Sequence, residues 1–355
     1  MNPFLYDKKL DLVDFEDVKL LMFRDDNLYN IAVSDDRKNR NLREHFLEVS
    51  RKGYPKSVVC PANVDQVSAA RFGLFIYLHH LWRENIEFTV LDIGSHVGDF
   101  SIRAASLART FQKKLKVISF DPTPAGALVE YNVQINGLQD YVRHEDLAVS
   151  DVNGFLKFQA AKGHSDSASA FSTSGNEGLG RRLMKFVRSR HKANYFQGLV
   201  SRIRGAEEAY EFIARSVTIS DYLEANKIEG HLFVKIDVEG LDDCVISSLL
   251  PRAQRSLVSV VTEFTPGGFP SLAAAARMLE ELSMSFVLCD IFYSPNPTRF
   301  DRLDSRSLLD FARHVQEHRR YGYTDILLIP KALPGLERVL KRLEALERAP
   351  DAYIL

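Results

Sequence analysis

Short apolar runs alternate with amphipathic stretches from about residue 88 onward. Six runs contain few polar residues, as strands buried on both faces do: 88–93, 116–121, 231–237, 257–264, 285–292 and 323–329. Further strands are predicted within 141–150 and at 154–159. Helices are predicted at 98–110, 240–250, 271–283 and 304–319, and one more opens at Thr123–Pro124. This alternation predicts an α/β fold with a doubly wound, mostly parallel sheet.

The pattern divides the chain into a main domain, 86–330, and two extensions. An insertion at 160–216 interrupts the domain. Within the N-terminal extension, 1–85, one helical face is predicted, formed by Val67, Ala70, Leu74, Leu78 and Leu81. Within the tail, 331–355, a second apolar face is predicted, formed by Leu336, Val339, Leu340, Leu343 and Leu346. We expect the tail helix to pack on the domain or on a partner.

Composition narrows the functional classes. The formal net charge of −1 provides no general attraction to nucleic acid or to an anionic membrane. No apolar run reaches the length of about 18 residues that a membrane span needs, and the N-terminus is unlike a signal peptide. The three cysteines are far apart and predicted to be free thiols: Cys60, Cys244 and Cys289. A cytoplasmic enzyme-like domain is therefore expected.

The stretch LDIGSHVGDFS, 91–101, follows the first central strand and opens a helix. Gly94 would allow a sharp turn close to a ligand, and Gly98 would allow the helix to pack tightly. The glycine spacing is GxxxG, so the GxGxxG dinucleotide fingerprint is absent. A phosphate-binding loop is excluded because no Gly-Lys-Ser/Thr follows.

Acidic residues end three successive predicted strands. Asp92, Asp121 and Asp146 would lie at one edge of the sheet, where ligands bind in open α/β folds. A carboxylate at Asp121 could accept the hydroxyls of a ribose, and Asp146 could meet an adenine amino group. Such a set suits a nucleoside with a cationic centre and no phosphates. S-adenosylmethionine has that shape.

These motifs resemble the FkbM family of class I S-adenosylmethionine-dependent methyltransferases. Five segments carry the resemblance: Asp92-Ile-Gly94-Ser95-His96-Val-Gly98-Asp-Phe100-Ser101, Phe120-Asp121-Pro122, Asn132 with Asn136-Gly137-Leu138, Leu147-Ala148-Val149-Ser150-Asp151, and the signature VKIDVEG at 234–240. The resemblance covers about 86–330 and implies a Rossmann-like, seven-stranded sheet. The chain departs from the family pattern at Ser95-His96, where Ala-Asn is usual, and at Asp242, where Glu is common.

The strand ends and the resemblance together assign the cofactor contacts. The expected residues are Asp92, Gly94, Ser95, His96, Gly98, Phe100, Ser101, Asp121, Pro122, Asp146, Leu147, Ala148 and Asp237.

Catalysis is assigned to Asp237, Glu239, Glu263 and His96. Asp237 and Glu239 end the fourth strand, and Glu263 ends the next, so each could contact an acceptor hydroxyl or take its proton. His96 is either a contact to the methionine carboxylate or a proton acceptor, unless it is only a loop histidine. Mg²⁺ across Asp237, Glu239 and Glu263 is an alternative. Carboxylate clusters often bind nothing, so no metal is predicted.

The insertion contains a basic stretch, 181–204, with eight Lys or Arg residues and no acid. This stretch could be a solvated helix face, or it could be a lid that recognises an anionic acceptor. His164, at the start of the insertion, could line the acceptor pocket or lie in a solvated loop. RNA binding is the weakest interpretation because aromatic residues there are few. The resemblance to the FkbM family implies O-methylation of a hydroxyl on a sugar, a glycan or a secondary metabolite. N-methylation, an RNA acceptor and a binding protein without turnover are the alternatives.

Overall fold

The computed structural model describes residues 10–15, 18–24, 77–161, 169–171, 209–238, 242–253, 256–292, 299–303, 307–319 and 322–345. The strands are β1 (Leu10–Phe15), β2 (Val18–Phe23), β3 (Phe88–Ile93), β4 (Lys116–Phe120), β5 (Val142–Glu145), β6 (Ala148–Ser150), β7 (Gly154–Ala161), β8 (Ser169–Phe171), β9 (Ala209–Thr218), β10 (His231–Ile236), β11 (Val258–Phe264), β12 (Phe286–Phe292), β13 (Arg299–Arg302) and β14 (Thr324–Pro330). The helices are α1 (Asp99–Thr110), α2 (Val129–Ile135), α3 (Ile219–Ala225), α4 (Asp242–Ala253), α5 (Leu272–Ser285), α6 (Leu308–His318) and α7 (Leu336–Ala345), with a further helical segment at 77–83.

The central sheet has the order β13-β12-β14-β11-β10-β3-β4-β5. Strands β11, β10, β3, β4 and β5 are parallel, whereas β14 runs antiparallel to both of its neighbours. The predicted seven-stranded Rossmann-like sheet is confirmed, and β13 adds a short strand at one edge. The chain runs from β3 outward to β5 and returns to β10 on the other side of β3. This reversal opens a crevice at the carboxyl ends of β3 and β10.

Strand β7, predicted at 154–159 as part of the central sheet, belongs instead to a small sheet of order β6-β9-β7-β8. Its partner β9 lies inside the predicted insertion, where no strand was expected. The reason is that both faces of β9 mix residue types: Ser216 is buried on the same face as Ala214, while Ile213 is exposed on the same face as Arg215. Such a strand has no simple alternation of apolar and polar positions to reveal it.

Helices cover both faces of the central sheet. Helices α1, α2 and α7, the segment 77–83 and strand β2 pack on one face. Helices α3, α4, α5 and α6 pack on the other. The tail helix α7 buries Val339, Leu340 and Leu343 in the first of these layers, whereas Leu346 of the predicted apolar face lies outside the described residues. Among the described residues, no helix combines the length and the apolar composition that crossing a membrane would require.

The helix expected to open at Thr123–Pro124 begins later. A 3₁₀ turn forms at Gly126–Leu128, and α2 starts at Val129. The cause is Asp121, whose Oδ1 accepts bonds from Thr123 N at 2.8 Å and from Thr123 Oγ1 at 2.5 Å. These two bonds hold Thr123 in a turn. Asp side chains commonly form such turns by accepting a hydrogen bond from the backbone two residues further along the chain.

A buried polar chain lies at the opposite end of the sheet from the crevice. Ser259 Oγ lies 3.1 Å from His231 Nε2 and 2.6 Å from the Tyr77 hydroxyl, within hydrogen-bond distance of each. His231 is 5% exposed. Burial lowers the pKa of His231 to about 4, from 6.5.

This histidine should make stability depend on pH. Between pH 6.5 and 4 the unfolded chain binds a proton at His231 that the folded chain excludes, so stability is lost as the pH falls through this window. The loss attributable to His231 should reach about 3 kcal/mol. Urea unfolding of wild type and His231→Gln at pH 7 and pH 4.5 tests this, since the variant should lose less stability than wild type. Equal losses in the two proteins would contradict it.

Candidate functional site

The loop between β3 and α1 has alternating left-handed residues. Gly94, His96 and Gly98 have φ values of 77°, 53° and 83°. Besides glycine, asparagine, aspartate and histidine are the residues most often found in this conformation. The histidine that replaces the usual asparagine of the FkbM pattern at this position therefore keeps the backbone shape that the loop requires.

Gly94 lies against the end of the neighbouring strand. A Cβ added to Gly94 would come within 1.8 Å of the Asp237 carbonyl oxygen, so no other residue fits there without movement. The backbones that follow β3 and β10 thus approach closely at the point where the sheet order reverses. Gly98 is less restricted, since its Cβ would lie 3.1 Å from Val129 Cγ1 on α2.

Asp92 is completely buried below this loop. Its Oδ2 accepts bonds from Ser101 N at 3.1 Å and from Ser101 Oγ at 2.7 Å, which ties the first turn of α1 to β3. Its Oδ1 lies 3.4 Å from Lys235 Nζ. Asp92 and Ser101 were both predicted as cofactor contacts, and here they hold the loop in place from below.

Lys235 joins the two sides of the crevice. Its ammonium donates to the Gly94 carbonyl oxygen at 3.1 Å and lies 3.3 Å from Asp237 Oδ2, in addition to Asp92. A partly buried ammonium with these neighbours is well compensated. Charges in the otherwise buried VKIDVEG segment are expected to be paired or functional, and Lys235 is paired here.

The strand register places the predicted acids along one line. Val261, Lys235, Asp92, Ser119 and His144 are registered neighbours across β11, β10, β3, β4 and β5. Two residues further along the chain come Glu263, Asp237, Gly94, Asp121 and Asp146; Glu263 lies within β11, and the other four directly follow their strands. We call the four acids of this set, together with Asp325, the acidic row.

Asp325 joins the acidic row from β14. It is registered opposite Glu263, and it reaches this edge because β14 runs antiparallel to β11. Burial raises the pKa of Asp325 well above its ordinary value, and the charges of Glu263, Asp237 and Asp242 add to the effect. Asp325 was not predicted as a site residue, because hydrophobic periodicity does not reveal the direction of a strand.

Asp121 is almost fully buried at the end of β4. Besides Thr123, its carboxylate accepts the His96 N–H on Oδ2 at 2.7 Å. A carboxylate accepts about four hydrogen bonds in total. Asp121 therefore orders the loop and still has room on Oδ2 for one further donor.

A second hydrogen-bonded chain runs beside it. Ser119 Oγ donates to Ser95 Oγ at 2.6 Å and lies 3.1 Å from His144 Nδ1. Burial lowers the pKa of His144, which nearby acids partly oppose. Burial also raises the pKa of Asp146.

Asp237 and Glu263 are members of the acidic row at the ends of the neighbouring strands β10 and β11. The Asp237 side chain is 57% exposed despite its contact with Lys235, so it is accessible to a ligand. Glu263 Oε1 accepts a 2.5 Å bond from Thr265 Oγ1. Among the residues that the structure describes, no group of His, Cys, Asp or Glu is arranged to hold a metal ion.

Other predicted residues take different places. Phe100 is buried and stacks on Phe233, with ring centroids 6.1 Å apart, so it supports α1 from within the core. Pro122 and Leu147 are half-buried, and Ala148 is buried at the start of β6. Glu239, His164 and the basic stretch 181–204 lie outside the described residues.

The protein-family model of the methyltransferase FkbM domain matches residues 92–285 of the sequence, which is more than half of the chain. Among solved structures, the chain is similar to precorrin-6y C5,15-methyltransferase from Geobacter metallireducens GS-15 at 9% identity, with a TM-score of 0.27 over 69% of this chain and 82% of that one. It is also similar to an uncharacterized protein from Burkholderia thailandensis at 10% identity, with a TM-score of 0.27 over 81% and 91% of the two chains. No curated protein matches.

The close approach at Gly94 predicts a severe effect of Gly94→Ala. Gly230 provides a matched control, since it has φ 82° and open space around its Cβ position. Gly230→Ala should cost about 1 kcal/mol from backbone strain alone. Gly94→Ala adds the clash with Asp237 and should cost more than about 3 kcal/mol or prevent folding. Urea unfolding at pH 7 compares the two, and equal costs would show that the approach is less tight than described.

Proposed function

The chain belongs to the FkbM methyltransferase family, and from this premise we propose that it transfers a methyl group from S-adenosylmethionine to a hydroxyl group. The proposed acceptor is a sugar, a glycan or a secondary metabolite. The acidic row at the carboxyl edge of the sheet is the observation that carries the proposal.

The residues of the row fit S-adenosylmethionine in chemical type. Asp121 would hold a ribose hydroxyl with its remaining acceptor position, and Asp146 would lie on the adenine side. The loop at 94–98 would carry the methionine end, which a backbone without a side chain at Gly94 can approach closely. When bound, S-adenosylmethionine supplies a methyl group on a sulfonium, and the carboxylates nearby suit that positive charge.

The acceptor side requires a group that takes a proton. A hydroxyl is a poor nucleophile at neutral pH and gains from a base within hydrogen-bond reach. Asp237 is accessible, and Lys235 fixes the orientation of its carboxylate. The raised pKa of Asp325 favours its neutral form, which limits the negative charge around Asp237 and Glu263. We assign Asp237 as the base that takes the proton of the acceptor hydroxyl, and Glu263 as the residue that holds this hydroxyl.

The small sheet supplies a wall beside this base. Its inner residues Leu156, Phe158 and Ala214 pack with Val238, which directly follows Asp237. Phe158 also stacks on Phe212, with ring centroids 5.1 Å apart and an interplanar angle of 9°. The inner residues are themselves buried, so the wall holds Val238, and with it the strand end that carries Asp237, in place.

Asp121→Ala should abolish or strongly weaken binding of S-adenosylhomocysteine, since it removes the ribose acceptor and releases the loop at His96. We expect the Kd to rise at least about tenfold, as for one lost charged hydrogen bond. Thr123→Val is the matched control: it removes one donor to the carboxylate but leaves the carboxylate in place. Isothermal titration calorimetry measures both. Unchanged affinity of Asp121→Ala for S-adenosylhomocysteine would show that Asp121 does not hold the ribose. No binding by the wild type would show that S-adenosylmethionine is not the cofactor.

Asp237→Asn should retain S-adenosylhomocysteine binding within about threefold and lose methyl transfer by at least about a hundredfold, the usual contribution of a general base. The assay follows transfer of labelled methyl groups from S-adenosylmethionine to a panel of sugars, glycans and secondary-metabolite hydroxyl compounds. Glu263→Gln, measured in parallel, should raise the acceptor KM more than it lowers kcat. Full activity of Asp237→Asn on an accepted substrate would refute its role as the base.

A further inference from the structure

The N-terminal hairpin, formed by the antiparallel strands β1 and β2, packs against the same loop that forms the candidate cofactor site. Its residues Phe23, Leu10 and Leu21 form an apolar cluster with Val97, Ala125 and Leu128. Val97 belongs to the loop and is fully buried. The hairpin lies outside residues 92–285, which match the family model.

One buried side chain binds both the hairpin and the loop. Asn132, on α2, accepts a bond on Oδ1 from Leu21 N at 2.6 Å. Its Nδ2 donates to Leu21 O at 3.1 Å and to Val97 O at 2.9 Å. Both amide hydrogens are thus used, and reversing the amide would place its nitrogen against a backbone N–H, so the orientation is fixed.

The Val97 carbonyl depends on this bond. The backbone N–H four residues further along, that of Ser101, donates to Asp92 rather than to Val97. Val97 is buried, so its carbonyl has no access to bulk solvent. Loss of the Asn132 amide would leave a buried acceptor unsatisfied, which is costly and favours a rearrangement of the loop.

Asn136 provides a natural comparison one helical turn away. Its side chain pairs with β2 in the same way, accepting from Lys19 N at 2.9 Å and donating to Lys19 O at 2.6 Å. Its remaining bond goes to the Asn132 carbonyl within the same helix at 2.7 Å, not to the loop. The two asparagines therefore share the hairpin contact, and only Asn132 adds the loop contact.

We propose that Asn132 is a positioning residue for the cofactor loop and that the N-terminal hairpin is, through it, part of the S-adenosylmethionine site. The amide fixes the Val97 carbonyl, and with it the backbone between Gly94 and Gly98. The hairpin provides the other partner of the Asn132 amide, the backbone of Leu21, and it covers the Val97 side chain. This proposal rests on the proposed function, because it assumes that the loop binds the cofactor.

The test compares Asn132→Ala with Asn136→Ala in the full chain. Calorimetry with S-adenosylhomocysteine should show a Kd about tenfold higher for Asn132→Ala, as for one lost hydrogen bond, and a change below about threefold for Asn136→Ala. Both variants should lower Tm, because both loosen the hairpin. A purely structural role would lower affinity equally in the two variants at equal loss of Tm.

Hydrogen exchange of the ligand-free proteins separates this proposal from the proposed function. In Asn132→Ala the amides of 94–98 should exchange faster than in wild type, whereas in Asn136→Ala they should not. Unchanged exchange and affinity in Asn132→Ala, or equal changes in both variants, would overturn the role of Asn132. If Asn132→Ala exchanges faster but the wild type binds no S-adenosylhomocysteine, the cofactor assignment is wrong, while the contact of Asn132 with the loop stands. The hairpin would then not be part of a cofactor site.

Discussion

The Lys235 ammonium connects the two strand ends between which the crevice opens. It contacts Asp92 below the loop, the Gly94 carbonyl within it and Asp237 on the adjacent strand end. Ser101 donates two hydrogen bonds to the fully buried Asp92, but only the Lys235 ammonium offsets its negative charge among the contacts described here, and burial of an unpaired charge is strongly unfavourable. The same ammonium orients Asp237 and holds the Gly94 carbonyl, so it links the loop to the adjacent strand end. Gly94 then allows the approach that the ammonium stabilises.

The residues around the crevice divide into two kinds. Some are buried and hold the backbone in shape, as Asp92, Ser101 and Phe100 do from inside the fold and Asn132 does from α2. Others present side chains toward the crevice, above all the exposed carboxylate of Asp237. A sequence motif mixes the two kinds, because both are required for the same site. The structure separates them by burial and by hydrogen-bond partners.

Much of the fold could be predicted from the sequence, because buried parallel strands produce apolar runs that helices separate regularly. The acids at the strand ends were predicted directly from the ends of the apolar runs. The parallel strands β11, β10, β3, β4 and β5 bring these acids into one row. Asp325 was missed because its strand runs in the opposite direction, and β9 because its residues do not alternate. The contact between Leu21 and Asn132 joins positions 111 residues apart, which no local pattern reveals. The FkbM resemblance was confirmed by the family match.

We propose that the acidic row and the loop at 94–98 form one S-adenosylmethionine site. A crystal structure of the protein with S-adenosylhomocysteine tests this proposal most directly. We expect a ribose hydroxyl within hydrogen-bond distance of Asp121 Oδ2, the methionine end along Gly94–Gly98, and the sulfur on the side of Asp237. A ligand bound elsewhere, or one that leaves Asp121 and the loop without contact, would contradict it.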